Sequence, residues 1–143
     1  MAKILYMGSD HAGLSLKNAL LPALRQQGWT IEDMGTQSGD SCDYPDFAHA
    51  VCTKVLENDA FGILICGTGI GMSMAANRHK GIRAALCTHE FHARATREHN
   101  NANVLCLGER VTAPGLAVEL ATIFLSTEYA GGRHQKRIEK IDI

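Results

Sequence analysis

The chain has 143 residues, the usual size of one domain, so we expect a single domain over residues 1–143. Apolar residues make up 45% and charged residues 20%, which is typical of a globular protein and excludes a disordered chain. The 14 basic and 15 acidic residues give a formal charge of -1, which argues against a general nucleic-acid-binding protein because such proteins carry a marked basic excess.

The sequence also indicates a cellular compartment. It contains no run of about 18 apolar residues that could cross a membrane. Residues 1–7, which precede the first glycine, are too few for a signal peptide. The five cysteines are widely spaced and form no Cys-x-x-Cys pair, which predicts neither a disulfide framework nor a zinc knuckle. We therefore expect a cytoplasmic protein that does not bind membranes.

Short apolar runs alternate with longer amphipathic stretches along the chain. The predicted strands span residues 3–7, 29–34, 61–66, 82–87 and 104–107. The predicted helices span residues 14–27, 45–57, 72–78, 90–98, 111–125 and 133–140. Alternating strands and helices, with strands that are apolar on both faces, indicate an α/β fold in which helices cover both sides of a parallel sheet.

The most specific motif is Cys66-Gly67-Thr68-Gly69-Ile70-Gly71, between the third predicted strand and a helix. Its glycines allow a tight turn that directs several N–H groups to one point, and a helix N-terminus adds positive potential, so the turn suits an anion. Met72 stands where the dinucleotide motif needs a glycine, and the P-loop Lys-Ser/Thr is absent. A nucleotide-binding regulatory module remains an alternative, as does a turn that only packs a strand against a helix.

Cys66 is a candidate for chemistry because it ends a strand beside a predicted helix N-terminus. A thiol in that position favours the thiolate, and a thiolate beside N–H donors is a proton acceptor next to an oxyanion hole. A cysteine hydrolase or transferase that uses Cys66 with His99 and Asp10 is an alternative, and it would form a covalent thioester. The remaining cysteines in apolar patterns are expected to be small core residues: Cys52, Cys87 and Cys106.

Polar residues at other strand and helix ends allow a functional and a structural interpretation. Asp10-His11 ends the first strand, where Asp10 could contact a ligand or cap a helix. Tyr44 could present its hydroxyl to a sugar or simply belong to a turn. His99 could be an acid or base with Asn100 as its orienter, or Asn100 could only end the helix.

Two further sets of side chains carry open alternatives. His89, His92 and His99 could align on one helix to bind a metal, although solvated side chains are the simpler interpretation of His89 and His92. Arg133 and Arg137 are four residues apart near the end of the chain, so their guanidinium groups share one helix face. Two such groups match a phosphate monoester, and a solvated basic face is the alternative.

Together these segments resemble the type B ribose-5-phosphate isomerases and the related allose- and galactose-6-phosphate isomerases. The resemblance covers nearly the whole chain. It is carried by residues 8–13, 43–45, 65–71, 75–77, 81–84, 99–104, 108–110 and 131–134. One branch of the family has Ser in place of the cysteine and Glu in place of Met72, so Cys66 and Met72 place this chain in the cysteine branch.

The resemblance implies a Rossmann-like three-layer sandwich with a mainly parallel five-stranded sheet and helices on both faces. It also implies a homodimer whose active sites draw on both subunits, with a tetramer as the alternative assembly. The implied reaction interconverts ribose 5-phosphate and ribulose 5-phosphate through an enediolate, without a metal or cofactor, in the non-oxidative pentose phosphate pathway. A six-carbon aldose 6-phosphate of the allose or galactose type is the alternative substrate.

The resemblance also assigns roles to individual residues. Cys66 corresponds to the base that moves a proton between C1 and C2. His99 corresponds to the acid that opens the sugar ring, and Asp10 assists near the sugar hydroxyls. The implied substrate contacts are the Gly67, Thr68, Gly69, Ile70 and Gly71 amides for the enediolate oxygen, Thr68, Tyr44 and Asn100 for the sugar, and His11, Arg110, Arg133 and Arg137 for the phosphate.

Overall fold

A computed structural model describes residues 3–143. Met1 and Ala2, which belong to the segment considered as a signal peptide, residues 1–7, lie outside the described residues. Five strands form one parallel sheet in the order β2-β1-β3-β5-β4: β1 (Ile4–Ser9), β2 (Thr30–Asp33), β3 (Phe61–Cys66), β4 (Ala84–Leu86) and β5 (Val104–Gly108). The predicted α/β fold class, a Rossmann-like three-layer sandwich, is confirmed.

Within residues 3–143 there are six α-helices and two 3-10 turns. The helices are α1 (Leu14–Gln26), α2 (Tyr44–Asn58), α3 (Ile70–Ala76), α4 (Glu90–Asn100), α5 (Pro114–Ser126) and α6 (Gln135–Ile138). The 3-10 turns are His11–Gly13 and Gly132–His134. No helix in this part of the chain is both long and apolar enough to cross a membrane.

The sheet separates two hydrophobic cores. Side chains of α1, α4 and α5 pack on one face, and side chains of α2 and α3 pack on the other. Neighbouring residues of a strand belong to different cores because successive side chains point to opposite faces of the sheet. In β3, for example, Ile63 belongs to the first core and Leu64 to the second, and both are fully buried. This double burial explains why the central strands are apolar throughout.

Some element boundaries differ from those predicted. Helix α3 begins at Ile70, two residues before the predicted start, because the amide of Ser73 already bonds to the carbonyl of Gly69. Strand β4 is limited to residues 84–86, since the amides of Ile82 and Arg83 donate to His79 and to the Asn103 side chain instead. The last predicted helix, 133–140, is divided between the second 3-10 turn and α6.

The strand order places a crevice at the carboxyl ends of β1 and β3. From β1 the chain first forms its neighbour β2 on one side and then returns to form β3 on the other side. Ligands of open parallel sheets bind at such a reversal. Asp10 directly follows β1 and Cys66 ends β3, and the amide of Asp10 donates to the carbonyl of Ile65. The fold therefore brings two of the candidate catalytic residues to one point.

Candidate active site

A cavity of about 510 Å³ opens at this crevice. Nine of the residues singled out from the sequence line it: Asp10, His11, Tyr44, Cys66, Gly67, Thr68, Ile70, Gly71 and Arg110. Ala12 and Met74 complete the lining. Residues far apart in sequence thus come from the ends of β1, β3 and β5 and from the start of α2 and meet in one cavity.

Cys66 lies at the floor of this cavity with 5% of its surface exposed. The amide of Gly69 donates a hydrogen bond to the Cys66 Sγ over 3.1 Å. The turn needs glycine at position 69, where φ is +81° and a Cβ would lie 2.5 Å from the Leu86 Cδ1. A backbone donor aimed at the sulfur stabilises negative charge on it. The structure therefore places a largely buried cysteine with a fixed N–H partner in the lining of the cavity.

The other cysteines of the core are unsuited to this chemistry. Cys52, Cys87 and Cys106 are fully buried or nearly so, as predicted. Burial raises the pKa of Cys52 and of Cys87 to about 12, and it raises the pKa of Cys106 well above the usual value. These three side chains therefore remain neutral thiols at physiological pH.

The glycine turn uses some of its own N–H groups. The amide of Gly69 bonds to the Cys66 sulfur, and the amide of Ile70 donates to the Thr68 Oγ1 over 3.2 Å. These two amides were expected to point to the substrate, and here they are engaged within the turn. Gly69 itself is not among the residues that line the cavity. A substrate oxygen would thus meet the Thr68 hydroxyl and the other amides of the turn.

Asp10 caps a helical turn, which is one of the two roles that the sequence left open, and it also lines the cavity. Its Oδ1 accepts hydrogen bonds from the amides of Ala12 at 3.0 Å and Gly13 at 3.1 Å, so it caps the first 3-10 turn. The same side chain lines the cavity while only 6% exposed. These bonds fix one carboxylate oxygen, and the cavity lining places the group within reach of a bound ligand.

Tyr44 and Arg110 are held against glycines of the turn. The Tyr44 ring packs so closely on Gly71 that a Cβ there would lie 2.6 Å from the Tyr44 Cε1. The Arg110 guanidinium lies over Gly67, with its Nη1 3.3 Å from the position of a Cβ. The amide of Arg110 also donates to the Gly67 carbonyl over 3.0 Å. Glycine at 67 and 71 therefore lets two polar side chains approach the Cys66 turn.

A second cavity, of about 400 Å³, contains the other candidates. It is lined by His99, Asn100, His134, Arg137, Ile138 and Ile141. The rings of His99 and His134 stack with their centroids 4.6 Å apart. Arg133 precedes His134 in the second 3-10 turn. Apart from Gly69 and Arg133, which line neither cavity, the predicted site residues are thus divided between two cavities of one chain.

His134 lines this second cavity, although the sequence reasoning gave it no role. Desolvation, together with the neighbouring His99 and the Arg133 and Arg137 guanidiniums, lowers its pKa below the usual 6.5. At neutral pH it is therefore uncharged and can stack on His99. Its position beside Arg133 in the Gly-Gly-Arg-His segment was the available signal, but the stacking partner is 35 residues away and only the fold reveals it.

The end of α4 holds His99 and Asn100 in place. The helix ends at Asn100, as the structural interpretation of the sequence expected, and it is followed by the C-cap residue Asn101, whose φ of +47° is left-handed. The Nε of Arg83 donates to the carbonyl of Asn100 over 3.1 Å and to that of Asn101 over 3.0 Å. Arg83 thus satisfies carbonyl groups that a helix end leaves without partners.

The three histidines considered as a metal site are not together. His89 stacks on His92 with centroids 3.8 Å apart, whereas His99 stacks on His134. Among residues 3–143, no group of three or more His, Cys, Asp or Glu side chains is arranged to hold a metal ion.

The chain is similar to known sugar phosphate isomerases over most of its length. The family model described as Ribose/Galactose Isomerase matches residues 5–141. A putative sugar phosphate isomerase of Bacillus subtilis is 52% identical over 137 residues, which cover 94% of this chain and 92% of the relative. Ribose-5-phosphate isomerase B of Escherichia coli is 43% identical over 142 residues, which cover 99% of this chain and 95% of the relative.

Solved structures agree with this match. A ribose 5-phosphate isomerase of Thermotoga maritima is 50% identical, superposes with a TM-score of 0.96 and matches over 99% of both chains. Ribose-5-phosphate isomerase B of Mycoplasma genitalium, solved with bound ribulose 5-phosphate, is 44% identical with a TM-score of 0.93, over 96% of this chain and 93% of that one. The chain belongs to the ribose/galactose isomerase family, which confirms the resemblance drawn from its motifs.

Proposed function

We propose that this protein interconverts ribose 5-phosphate and ribulose 5-phosphate, the aldose–ketose step of the non-oxidative pentose phosphate pathway. The observation that carries this proposal is the position of Cys66, which lines the cavity and whose sulfur accepts a hydrogen bond from the amide of Gly69. Relatives similar over their full length are named for this reaction, and one of them binds ribulose 5-phosphate.

The reaction needs a base for a weakly acidic proton. In the open-chain aldose, the Cys66 thiolate removes the proton from C2, the electron pair forms a C1–C2 double bond, and negative charge develops on the C1 oxygen. Return of the proton to C1, with transfer of the C2 hydroxyl proton to the C1 oxygen, gives the ketose. The sulfur suits this role because it is reachable from the cavity and carries a fixed N–H partner.

The developing charge on oxygen needs donors that are already in position. Thr68 lines the cavity beside the sulfur and supplies a hydroxyl, and the turn at Gly67 and Gly71 supplies backbone N–H groups. Such a preorganised donor is worth about 2.7–4 kcal/mol in the transition state. Asp10 and Tyr44, which line the same cavity, would contact the sugar hydroxyls.

Ring opening uses His99 of the second cavity, whereas phosphate binding uses residues of both cavities and of the tail. His99 would protonate the ring oxygen, and Asn100 would contact the sugar. His11 and Arg110 belong to the Cys66 cavity, whereas Arg133 and Arg137 belong to the tail beside His99. A phosphate bound by these residues, away from C1 and C2, uses its binding energy to orient the two reacting carbons.

Cys66 and His99 line different cavities of one chain. We therefore propose a homodimer in which each active site combines the Cys66 cavity of one copy with the His99 cavity of the other. The rim of the Cys66 cavity supports this arrangement, because it exposes apolar side chains. Tyr44 is 38% exposed, Ile70 47% and Met74 65%. A second copy would cover this rim and bring its own His99 and Arg137 to the substrate.

The location we propose is the cytoplasm. All five cysteines are free thiols: Cys42, Cys52, Cys66, Cys87 and Cys106. Thiols of this kind, one of them the proposed base, persist in a reducing compartment.

The direct test offers the purified protein ribose 5-phosphate and, separately, allose 6-phosphate, in the presence of EDTA, and measures ketose formation. We expect turnover of the pentose phosphate that survives chelation. Cys66→Ala should abolish most turnover and still bind phosphate-bearing inhibitors, whereas Cys52→Ala, a core thiol outside the cavity, should remain active. Preferred turnover of the six-carbon substrate would reassign the substrate, and full activity of Cys66→Ala would remove the proposed base.

The same protein samples test the two alternative functions, a nucleotide-binding regulatory module and a cysteine hydrolase. The first requires ATP or NAD to bind without turnover of any sugar phosphate. The second requires a thioester on Cys66, which mass spectrometry of the protein mixed with substrate would detect. The isomerase reaction forms no covalent intermediate, so an unchanged mass during turnover supports it.

A further inference from the structure

The loop between β2 and α2, residues 34–43, runs beside the Cys66 cavity and is anchored at its start. Lys17 is fully buried, and its ammonium group donates to the Asp33 carboxylate and to the Thr36 carbonyl. The amide of Ser9 donates to the Gly35 carbonyl, and the amide of Thr36 donates to the Ser9 carbonyl, both over 2.7 Å. The loop is therefore fixed to the end of β1, immediately before Asp10 and His11.

The end of the same loop contacts the His11 ring. The amide of Cys42 donates a hydrogen bond to the His11 Nδ1 over 3.2 Å. A backbone amide can only donate, so the Nδ1 must be the unprotonated nitrogen of the ring. The Cys42 Sγ lies 3.8 Å from the same nitrogen, a contact that either tautomer allows because a thiol can donate or accept. The amide contact is therefore the one that places the ring proton on the Nε2.

We propose that the Cys42 amide is a positioning group that fixes His11 as a neutral imidazole with its proton on the Nε2, so that His11 offers the phosphate of the substrate a hydrogen-bond donor. His11 lines the Cys66 cavity, and the Nε2 is the ring nitrogen left for a ligand. The inference rests on the proposed function only for the nature of the ligand, a sugar phosphate.

The chemistry of a phosphate ester explains why this tautomer matters. At neutral pH its oxygens are almost entirely acceptors, so an unprotonated Nε2 would face them with a lone pair and repel them. A protonated Nε2 donates without adding a second charge beside Arg110, which already supplies a cation to the same cavity. The tautomer also prevents His11 from acting as a base through its Nε2, which leaves that task to Cys66.

The tautomer can be measured directly in the protein without substrate. Long-range proton–nitrogen NMR of the ¹⁵N-labelled full chain distinguishes the two neutral forms of histidine from the charged form, and a His11→Gln variant identifies the His11 signals. At mildly alkaline pH we expect the pattern of a ring protonated on the Nε2. A ring protonated on the Nδ1, or on both nitrogens, would overturn the proposal. The measurement needs no turnover, so it can fail or succeed independently of the isomerase assignment.

Two substitutions then separate the amide from the thiol. Cys42→Pro removes the N–H, whereas Cys42→Ala keeps the N–H and removes only the sulfur. We expect Cys42→Ala to retain the Nε2 tautomer. Cys42→Pro should give mixed tautomers and raise KM for ribose 5-phosphate about 3- to 10-fold with a smaller change in kcat, as for one lost neutral hydrogen bond.

The outcomes of this pair are decisive in either direction. A folded Cys42→Pro protein that keeps the Nε2 tautomer, or a Cys42→Ala protein that loses it, would contradict the role of the amide. If Cys42→Pro fails to fold, the tautomer of the wild-type protein and of Cys42→Ala still decides the proposal.

Discussion

The Cys66 turn makes a quantitative prediction at Gly69, for which the chain supplies a matched control. Gly69 and Gly28 both have positive φ, +81° and +99° respectively. A Cβ on Gly28 would meet nothing within 4 Å, whereas a Cβ on Gly69 would lie 2.5 Å from the Leu86 Cδ1 and 3.0 Å from the carbonyl carbon of Leu107. The Leu86 methyl group can turn away, but the backbone of Leu107 belongs to a central strand and cannot.

These contacts give the expected magnitudes. Gly28→Ala adds only the left-handed backbone penalty of roughly 1–2 kcal/mol. Gly69→Ala adds the same penalty and an overpacking cost of about 1–3 kcal/mol, which makes a total of roughly 2–5 kcal/mol. The substitution at position 69 also displaces the N–H that donates to the Cys66 sulfur, so it should lower isomerase activity while Gly28→Ala should not.

Urea denaturation of both variants and the wild type, at one protein concentration because a dimer is proposed, measures the difference. The rate at which iodoacetamide alkylates Cys66 in the folded proteins reports the reactivity of the sulfur. We expect the larger loss of unfolding free energy and the slower alkylation in Gly69→Ala. Equal losses in the two variants, with unchanged alkylation, would refute the account of the turn.

Three other changes test separate features of the structure. Arg137→Ala should raise KM for ribose 5-phosphate about 10- to 100-fold with little effect on kcat, and an unchanged KM would contradict the phosphate clamp. Burial raises the pKa of the Asp33 carboxyl, but hydrogen bonds, chiefly from Lys17, outweigh burial and hold this pKa below its usual 3.8. The stability that the charged carboxylate contributes above pH 3.8 should therefore be lost as the pH falls below that value. Urea denaturation at a series of pH values should show a smaller loss of unfolding free energy in acid for Asp33→Asn than for the wild type. Desolvation and His49 lower the pKa of His79, so stability should fall as pH drops through 6.5, and less in His49→Asn.

Much of the fold could be predicted from local patterns. Strand β3 has the predicted bounds because its apolar run is limited by turn residues on both sides. The ends of β4 and α3 could not be predicted in this way, since they depend on where the Asn103 side chain and the Gly69 carbonyl find partners. Such bonds are between segments distant in sequence or are set by the turn geometry, and periodicity does not report them.

The candidate site shows the same limit. Ligands bind at the carboxyl ends of parallel strands, and this rule was enough to predict that Asp10, Cys66 and Arg110 lie at one cavity. The partition between that cavity and the one around His99, and the stacking of His134 on His99, arise from how α4 packs beside the chain's end. Whether a given Gly69 or Ile70 amide faces a ligand or its own turn also depends on three-dimensional geometry, which the motif alone does not specify.

The central claim is that Cys66 and His99 act on one substrate from two copies of the chain, and subunit complementation tests it most directly. Cys66→Ala and His99→Ala, each nearly inactive alone, are mixed in equal amounts, unfolded and refolded together. About half of the resulting dimers contain one of each, and one of their two sites is intact, so we predict about a quarter of the wild-type activity. A mixture that stays as inactive as its components would contradict the shared site.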